Sequence, residues 1–116
     1  MLGLKRGAVA LYPHEKAWET EAQATMAQLR QILGPVAVEM AHVGSTAIPT
    51  MQAKPILDIA VAVDDFDALL AYEKQLRAAG FYYRPHAQAG VRGQLLFASG
   101  SYYDGSGDLQ THFIHI

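Results

Sequence analysis

Apolar residues along the chain recur with two different periods, and the change from one to the other marks out the elements. Between His14 and Leu33, the residues Trp18, Ala22, Met26, Leu29 and Leu33 return every three or four positions, while Glu15, Lys16, Glu19, Glu21, Gln28 and Arg30 fall mostly elsewhere. That is the pattern of a helix with one buried stripe. Gly34-Pro35 ends it. Val36 to Val43 then reads as a strand, with Glu39 its one acidic residue. Ile56 to Val63 is the plainest strand. Its odd positions Leu57, Ile59, Val61 and Val63 are large, and its even positions are Ile56, Asp58, Ala60 and Ala62. One face is therefore a core face, and the other is small and carries a single carboxylate. Asp64-Asp65 caps a second helix, Phe66 to Ala79, whose stripe is Phe66, Leu69, Leu70, Leu76 and Ala79, with Gly80 as its stop.

The remaining segments are shorter. Val9 to Leu11 reads as a first strand ended by Tyr12-Pro13, Phe81 to Arg84 as an aromatic strand, Pro85 to Gly93 as a loop, and Gln94 to Ser99 as a strand. Gly100 to Asp108 is a loop rich in Gly, Ser and Tyr, and Leu109 to Ile116 is a last strand. Helices alternate with strands early, and strands then follow one another. This order predicts an α/β (α+β) fold: a mixed sheet of four or five strands with two long helices on the Leu57, Ile59, Val61 and Val63 face. Asp58 is expected on the opposite face. The last strand is apolar, and Asp108 is the only charged residue beyond Asp104. An open apolar edge of this kind templates pairing with another chain. The expectation is a homodimer or higher oligomer with Phe113, Ile114 and Ile116 at or near the interface.

Composition narrows the classes. The 116 residues amount to one domain, 1–116. With 51% hydrophobic and 17% charged residues the chain is neither a disordered tail nor a coiled coil. Uninterrupted apolar stretches such as Ile59 to Val63 are only a strand's length, so no membrane span or membrane partner is expected. A net charge of −2 and a pI of about 6.2 offer no basic field for nucleic acid or anionic lipid, and neither is expected as a partner. The absence of cysteine removes disulfides, thiolate zinc sites and cysteine nucleophiles. Met1 to Ala10 has no long apolar region, so no signal peptide is read and a cytoplasmic protein is expected.

The densest chemistry lies in His42-Val43-Gly44-Ser45-Thr46, followed by Lys54-Pro55-Ile56-Leu57-Asp58. A strand ends in Gly-Ser, a short turn follows, and a second strand carries an acid. This suits a phosphate. Gly44 permits close backbone approach. Ser45, Thr46 and the amides of a helical turn are donors to an anion, and Asp58 can hold a divalent cation bridging phosphate oxygens. The competing reading is a plain strand-ending turn with an exposed acid.

The run His42 to Pro49 (His-Val-Gly-Ser-Thr-Ala-Ile-Pro), with Lys54 to Ile59 (Lys-Pro-Ile-Leu-Asp-Ile), resembles the signature of the GrpB-like family. That family belongs to the nucleotidyltransferase superfamily that includes DNA polymerase β. Thr111-His112-Phe113-Ile114-His115-Ile116 resembles the family's His-containing last core strand, and Trp18 resembles a family Trp. The resemblance implies a nucleotidyltransferase-like sheet and a nucleotide or other phosphorylated small molecule as ligand. It places His42, Gly44, Ser45, Thr46 and Lys54 at the ligand, and Asp58 in the catalytic position with Mg²⁺ or Mn²⁺. Two departures matter. Transferring members of the superfamily carry a second acid two residues beyond the first, and here that position is Ala60; Thr50 also stands where family members often have Gly. Members of the family are also longer and continue past the last strand into C-terminal helices, which this domain is expected to lack. The expectation is a ligand-binding protein with weak or absent transfer. The alternatives are an active metal-dependent nucleotidyltransferase and an interaction domain with a vestigial pocket.

His112 and His115 are three apart on a strand, so alternation points them to opposite faces. Parity does not choose between them. A metal site of Asp58 with His42 and one of this pair is sound in ligand type; a hydrogen-bonded core or surface histidine is the competing reading for each. Lys54 reads as a phosphate contact or a solvated loop lysine. Arg84 and Arg92 read as further cations or surface arginines, and Tyr82-Tyr83 and Tyr102-Tyr103 as stacking platforms or as half-buried strand and loop residues. His14 and His86 receive no role.

Overall fold

A computed structural model describes residues 2–85 and 95–116. In chain order the elements are β1 (Leu4–Lys5), α1 (Lys16–Leu33), β2 (Glu39–Val43), β3 (Leu57–Ala62), α2 (Phe66–Leu70), α3 (Glu73–Ala78), β4 (Tyr82–Tyr83), β5 (Leu96–Ser99), α4 (Ser101–Asp104), β6 (Leu109–Gln110) and β7 (His112–His115). Single 3₁₀ turns at Gly34–Val36 and Ser45–Ala47 flank β2.

Five strands form the mixed sheet, in the order β2-β3-β7-β5-β4. β3 and β7 are parallel, and the other neighbours are antiparallel. The period-two pattern of β3 holds: Leu57, Ile59 and Val61 are buried, Asp58 and Ala60 are half-exposed, and Ala62 is exposed. Ile114 of β7 and Phe97 of β5 continue the buried face. α1 covers it with Trp18, Ala22, Leu29 and Leu33, joined by Leu69 and Leu76 from α2 and α3. Met26, expected in the stripe of α1, is only half-buried, and the stripe runs through Thr25 instead.

Four expectations are corrected. The helix read from His14 begins at Lys16. The helix read over Phe66 to Ala79 is two short helices, because the Tyr72 N–H bonds the Leu69 carbonyl at 2.9 Å, a tighter three-residue turn that breaks the α-helical ladder. Val9 to Leu11 forms no strand. Leu4–Lys5 pairs instead with Leu109–Gln110 in a separate two-stranded ribbon. Finally, Leu109 to Ile116 is not an edge. β7 is the third of five strands, hydrogen-bonded to β3 on one side and β5 on the other. The premise of a dimer through Phe113, Ile114 and Ile116 goes with it, since Ile114 and Ile116 sit in the core. Most of the loop from Pro85 to Gly93, with His86, Arg92 and Gln94, lies outside the described residues. No helix among the described residues is long and apolar enough to cross a membrane.

Candidate functional site

The site begins where β2 stops. Gly44 has φ 76° and ψ −173°, a backbone conformation that residues with a Cβ rarely adopt. The chain then closes a 3₁₀ turn, with the Ala47 N–H bonded to the Gly44 carbonyl and the Ile48 N–H to the Ser45 carbonyl, each at 3.1 Å. The first amides of such a turn have no partner within it. The β2–β3 register sets Val43 opposite Asp58, which brings the carboxylate under the turn. A Cβ on Gly44 would lie 2.8 Å from Asp58 Oδ2, so glycine is required by space as well as by conformation.

The other carboxylate oxygen is engaged from β7. His115 is in register with Ala60, two residues along β3 from Asp58 and on the same face. Its imidazole reaches diagonally past that small side chain, and Nε2 lies 2.8 Å from Asp58 Oδ1. Both side chains are partly exposed, 41% for His115 and 31% for Asp58.

Asp58 opens onto a cleft of about 640 Å³ on the uncovered side of the sheet, which Ser45, Lys54 and Phe113 also line. Its far wall is the N-terminal segment, through Leu4, Gly7, Ala8, Val9 and Leu11. This segment is a strap fixed at both ends. The Gly3 N–H bonds the Pro55 carbonyl at 2.7 Å and β1 pairs with β6, while Tyr12 and Ala53 exchange two backbone bonds of 2.9 and 3.0 Å. Between these anchors Val9 is 80% exposed. The strap, Gln52 and Gln110 are the site residues that sequence reasoning missed. Val9 and Leu11 gave a signal as apolar residues, read as a strand.

The other predicted residues are drawn to the helix-covered side. His42 is in register with Ile59, on the buried face of β3, and its Nε2 is hydrogen-bonded to Thr46 Oγ1 at 2.8 Å. Thr46 is 1% exposed, so its hydroxyl serves His42 rather than the cleft. Burial pushes the His42 imidazole below its ordinary value, partly opposed by the Asp58 and Glu19 carboxylates. His112 is also buried. Its Nε2 is 3.0 Å from Thr25 Oγ1 and its Nδ1 is 2.7 Å from Thr111 Oγ1, and burial pushes it down to about 4. The polar member of the α1 stripe, Thr25, is thus explained by its histidine. Of the predicted set, the structure brings together Gly44, Ser45, Lys54, Asp58 and His115. It turns His42, Thr46 and His112 into the layer beneath.

The aromatic pairs lie elsewhere. Tyr83 stacks on Phe97 with ring centroids 5.2 Å apart. The Arg77, Arg84 and Arg6 guanidinium groups sit over Tyr82, Tyr103 and Tyr102, respectively. None of these tyrosines lines the cleft.

A divalent cation fits poorly. Asp58 and His115 supply two donor groups, and no cluster of three His, Cys, Asp or Glu side chains suited to a metal occurs among the described residues. Ala60 stands where a second carboxylate on the same face would sit.

Comparison with known proteins agrees with this architecture. Residues 8–116 match the family described as GrpB protein. The UPF0157 protein YqkA of Bacillus subtilis (strain 168) is 30% identical over 122 residues, covering 98% of this chain and 33% of that protein. The glutamate-rich protein GrpB of Alkalihalophilus pseudofirmus is 31% identical over 117 residues, covering 100% of this chain and 65% of that protein. A dephospho-CoA kinase of Mycolicibacterium paratuberculosis is 32% identical over 108 residues, covering 90% of this chain and 26% of that protein. The chain thus spans between 26% and 65% of the length of these curated relatives. Among solved structures, the conserved protein GrpB from Enterococcus faecalis superimposes with a TM-score of 0.79 at 25% identity, over 92% of this chain and 60% of that one. A cytoplasmic RNA terminal U-transferase superimposes with a TM-score of 0.58 at 23% identity, over 89% of this chain and 31% of that one.

Proposed function

Because the chain belongs to the GrpB family and has a nucleotidyltransferase-like fold, we propose that it holds a nucleotide or another phosphorylated small molecule between the Gly44–Ser45 turn and the N-terminal strap, with little or no nucleotidyl transfer. One observation carries the reading: Ser45, Lys54 and Asp58 converge on a single cleft of about 640 Å³ on the open side of the sheet. That volume suits a small ligand, whose sites span roughly 300–1,000 Å³. Lys54 is a cation for phosphate oxygens, and the Ser45 hydroxyl and turn amides are donors to them. Leu4, Val9, Leu11 and Phe113 line the same cleft with apolar surface, against which a base or other apolar group packs. Similarity to part of a dephospho-CoA kinase supports the phosphorylated class.

Transfer is expected to be weak because catalysis of phosphoryl chemistry is almost entirely positioning and charge neutralisation, and Ala60 supplies no acid. The test is calorimetry of the protein with each of the four ribonucleoside triphosphates and with tripolyphosphate. At least one should bind, and Lys54→Ala should weaken it by about tenfold. Absence of binding by any of them removes the reading. Robust transfer of a labelled nucleotide to an acceptor removes its second half.

A further inference from the structure

We propose that the Asp58–His115 pair stands in for a divalent cation at the floor of the cleft, so that the phosphorylated ligand is held without one. The inference rests on the ligand reading above for what is bound, but not for how the floor is built.

One oxygen of Asp58 is already engaged. Oδ1 accepts from His115 Nε2–H at 2.8 Å. Oδ2 lies beside Gly44, where a Cβ would come within 2.8 Å of it. A magnesium or manganese ion needs oxygen ligands at about 2.0–2.2 Å with near-octahedral freedom around it. To be held by both oxygens of Asp58 it must displace the imidazole, and among the described residues no cluster of three metal-ligating side chains replaces what it would lose. Ala60 and His115 are in register on one face, and the imidazole crosses above the alanine to meet Asp58. Ala60 thus offers no carboxylate to share a cation with Asp58, and the imidazole takes the Asp58 oxygen instead.

A cation at such a site has two jobs: to cover the protein's carboxylate so that it does not repel phosphate, and to neutralise the phosphate. Here they are divided. His115 covers Asp58 by donating to Oδ1. Lys54, which lines the same cleft, faces the phosphate. His115 is thus a positioning residue, acting through Asp58.

The test uses the whole chain and two probes. The first is Mn²⁺ alone, with free ion followed by electron paramagnetic resonance. The wild type should take up none at Asp58. His115→Ala combined with Ala60→Asp builds a carboxylate pair and should bind Mn²⁺ at least about tenfold more tightly than wild type. The second is ATP calorimetry in EDTA and in excess Mg²⁺. Wild-type affinity should agree within about twofold between the two, whereas His115→Ala should lose about tenfold in EDTA and regain it in Mg²⁺. A merely structural role for His115 does not produce that metal dependence. Mn²⁺ uptake by the wild type that Asp58→Asn abolishes overturns the proposal, as does a tenfold gain in wild-type ATP affinity on adding Mg²⁺. If neither ATP nor any of the other triphosphates tested above binds in either buffer the ligand reading falls, and the Mn²⁺ arm still decides the proposal.

Discussion

His112 and His115 stand three residues apart on β7 and belong to different chemistries. His112 faces α1, between two threonine hydroxyls, and burial keeps it neutral down to about 4. His115 faces the open side, partly exposed and bonded to a carboxylate. β2 repeats the contrast: His42 turns toward the helix layer, and the next residue, Val43, lies in register with Asp58. The two faces of one sheet have divided the polar residues. Histidines on the covered face satisfy buried hydroxyls and hold the Gly44–Thr46 turn from behind. On the open face His115 meets solvent and the Asp58 carboxylate. A residue's type in this motif therefore says less than its parity.

The comparison breaks most violently on the covered side. Leu57→Ala removes a fully buried side chain and should cost about 2–5 kcal/mol, measured by urea unfolding, with ligand affinity of the folded fraction unchanged. Acid should act there too. The unfolded chain protonates His112 near the ordinary 6.5, whereas the folded one resists until about 4. Between these values the unfolded state binds more protons, so stability falls as pH drops through the window and is level above it. The full effect is about 3 kcal/mol, and His112→Gln should flatten it in urea titrations at pH 7 and pH 4.5. Gly44→Ala acts on the boundary between the faces. Its positive φ and the crowding against Asp58 should cost about 1–3 kcal/mol, and calorimetry should show ligand binding lost. Thr46→Val keeps the shape but removes the partner of His42, for a loss of about 1 kcal/mol in the same urea assay. On the open side, His115→Gln should change stability by under about 1 kcal/mol, as partly exposed pairs do. If His115→Gln proves as costly to folding as Leu57→Ala, the division between the faces is wrong.

Much of this was legible in the chain. The alternation Leu57-Asp58-Ile59-Ala60-Val61 fixes which face is core and which carries the acid, because strand parity needs no knowledge of neighbours. The same parity foretold that His112 and His115 part company, but not which goes where: that depends on the β3–β7 register. Thr46 and His42 misled for a related reason. Both belong to the Gly-Ser-Thr motif, yet the turn rotates Thr46 inward by local geometry that a motif does not encode. The strap escaped notice because its partners are distant. Leu4 pairs with Gln110, and Tyr12 with Ala53, and no local period announces a pairing across the whole domain. The break at Tyr72 has no Gly or Pro to mark it.

That ribbon between residues 4–5 and 109–110 has a consequence for how the domain comes into being. β3 waits for β7, and β1 waits for β6, so the floor and the far wall of the cleft are completed only by residues 109–116. Chains fold as they are synthesised, N-terminal parts first, and contacts between remote segments are the slow ones to form. On the ribosome the amphipathic helix α1 can form early, whereas Asp58 has no His115 beside it and the strap has no strand to lie against. The cleft is therefore assembled later than the helix that backs the sheet, because its floor and far wall both wait for residues 109–116.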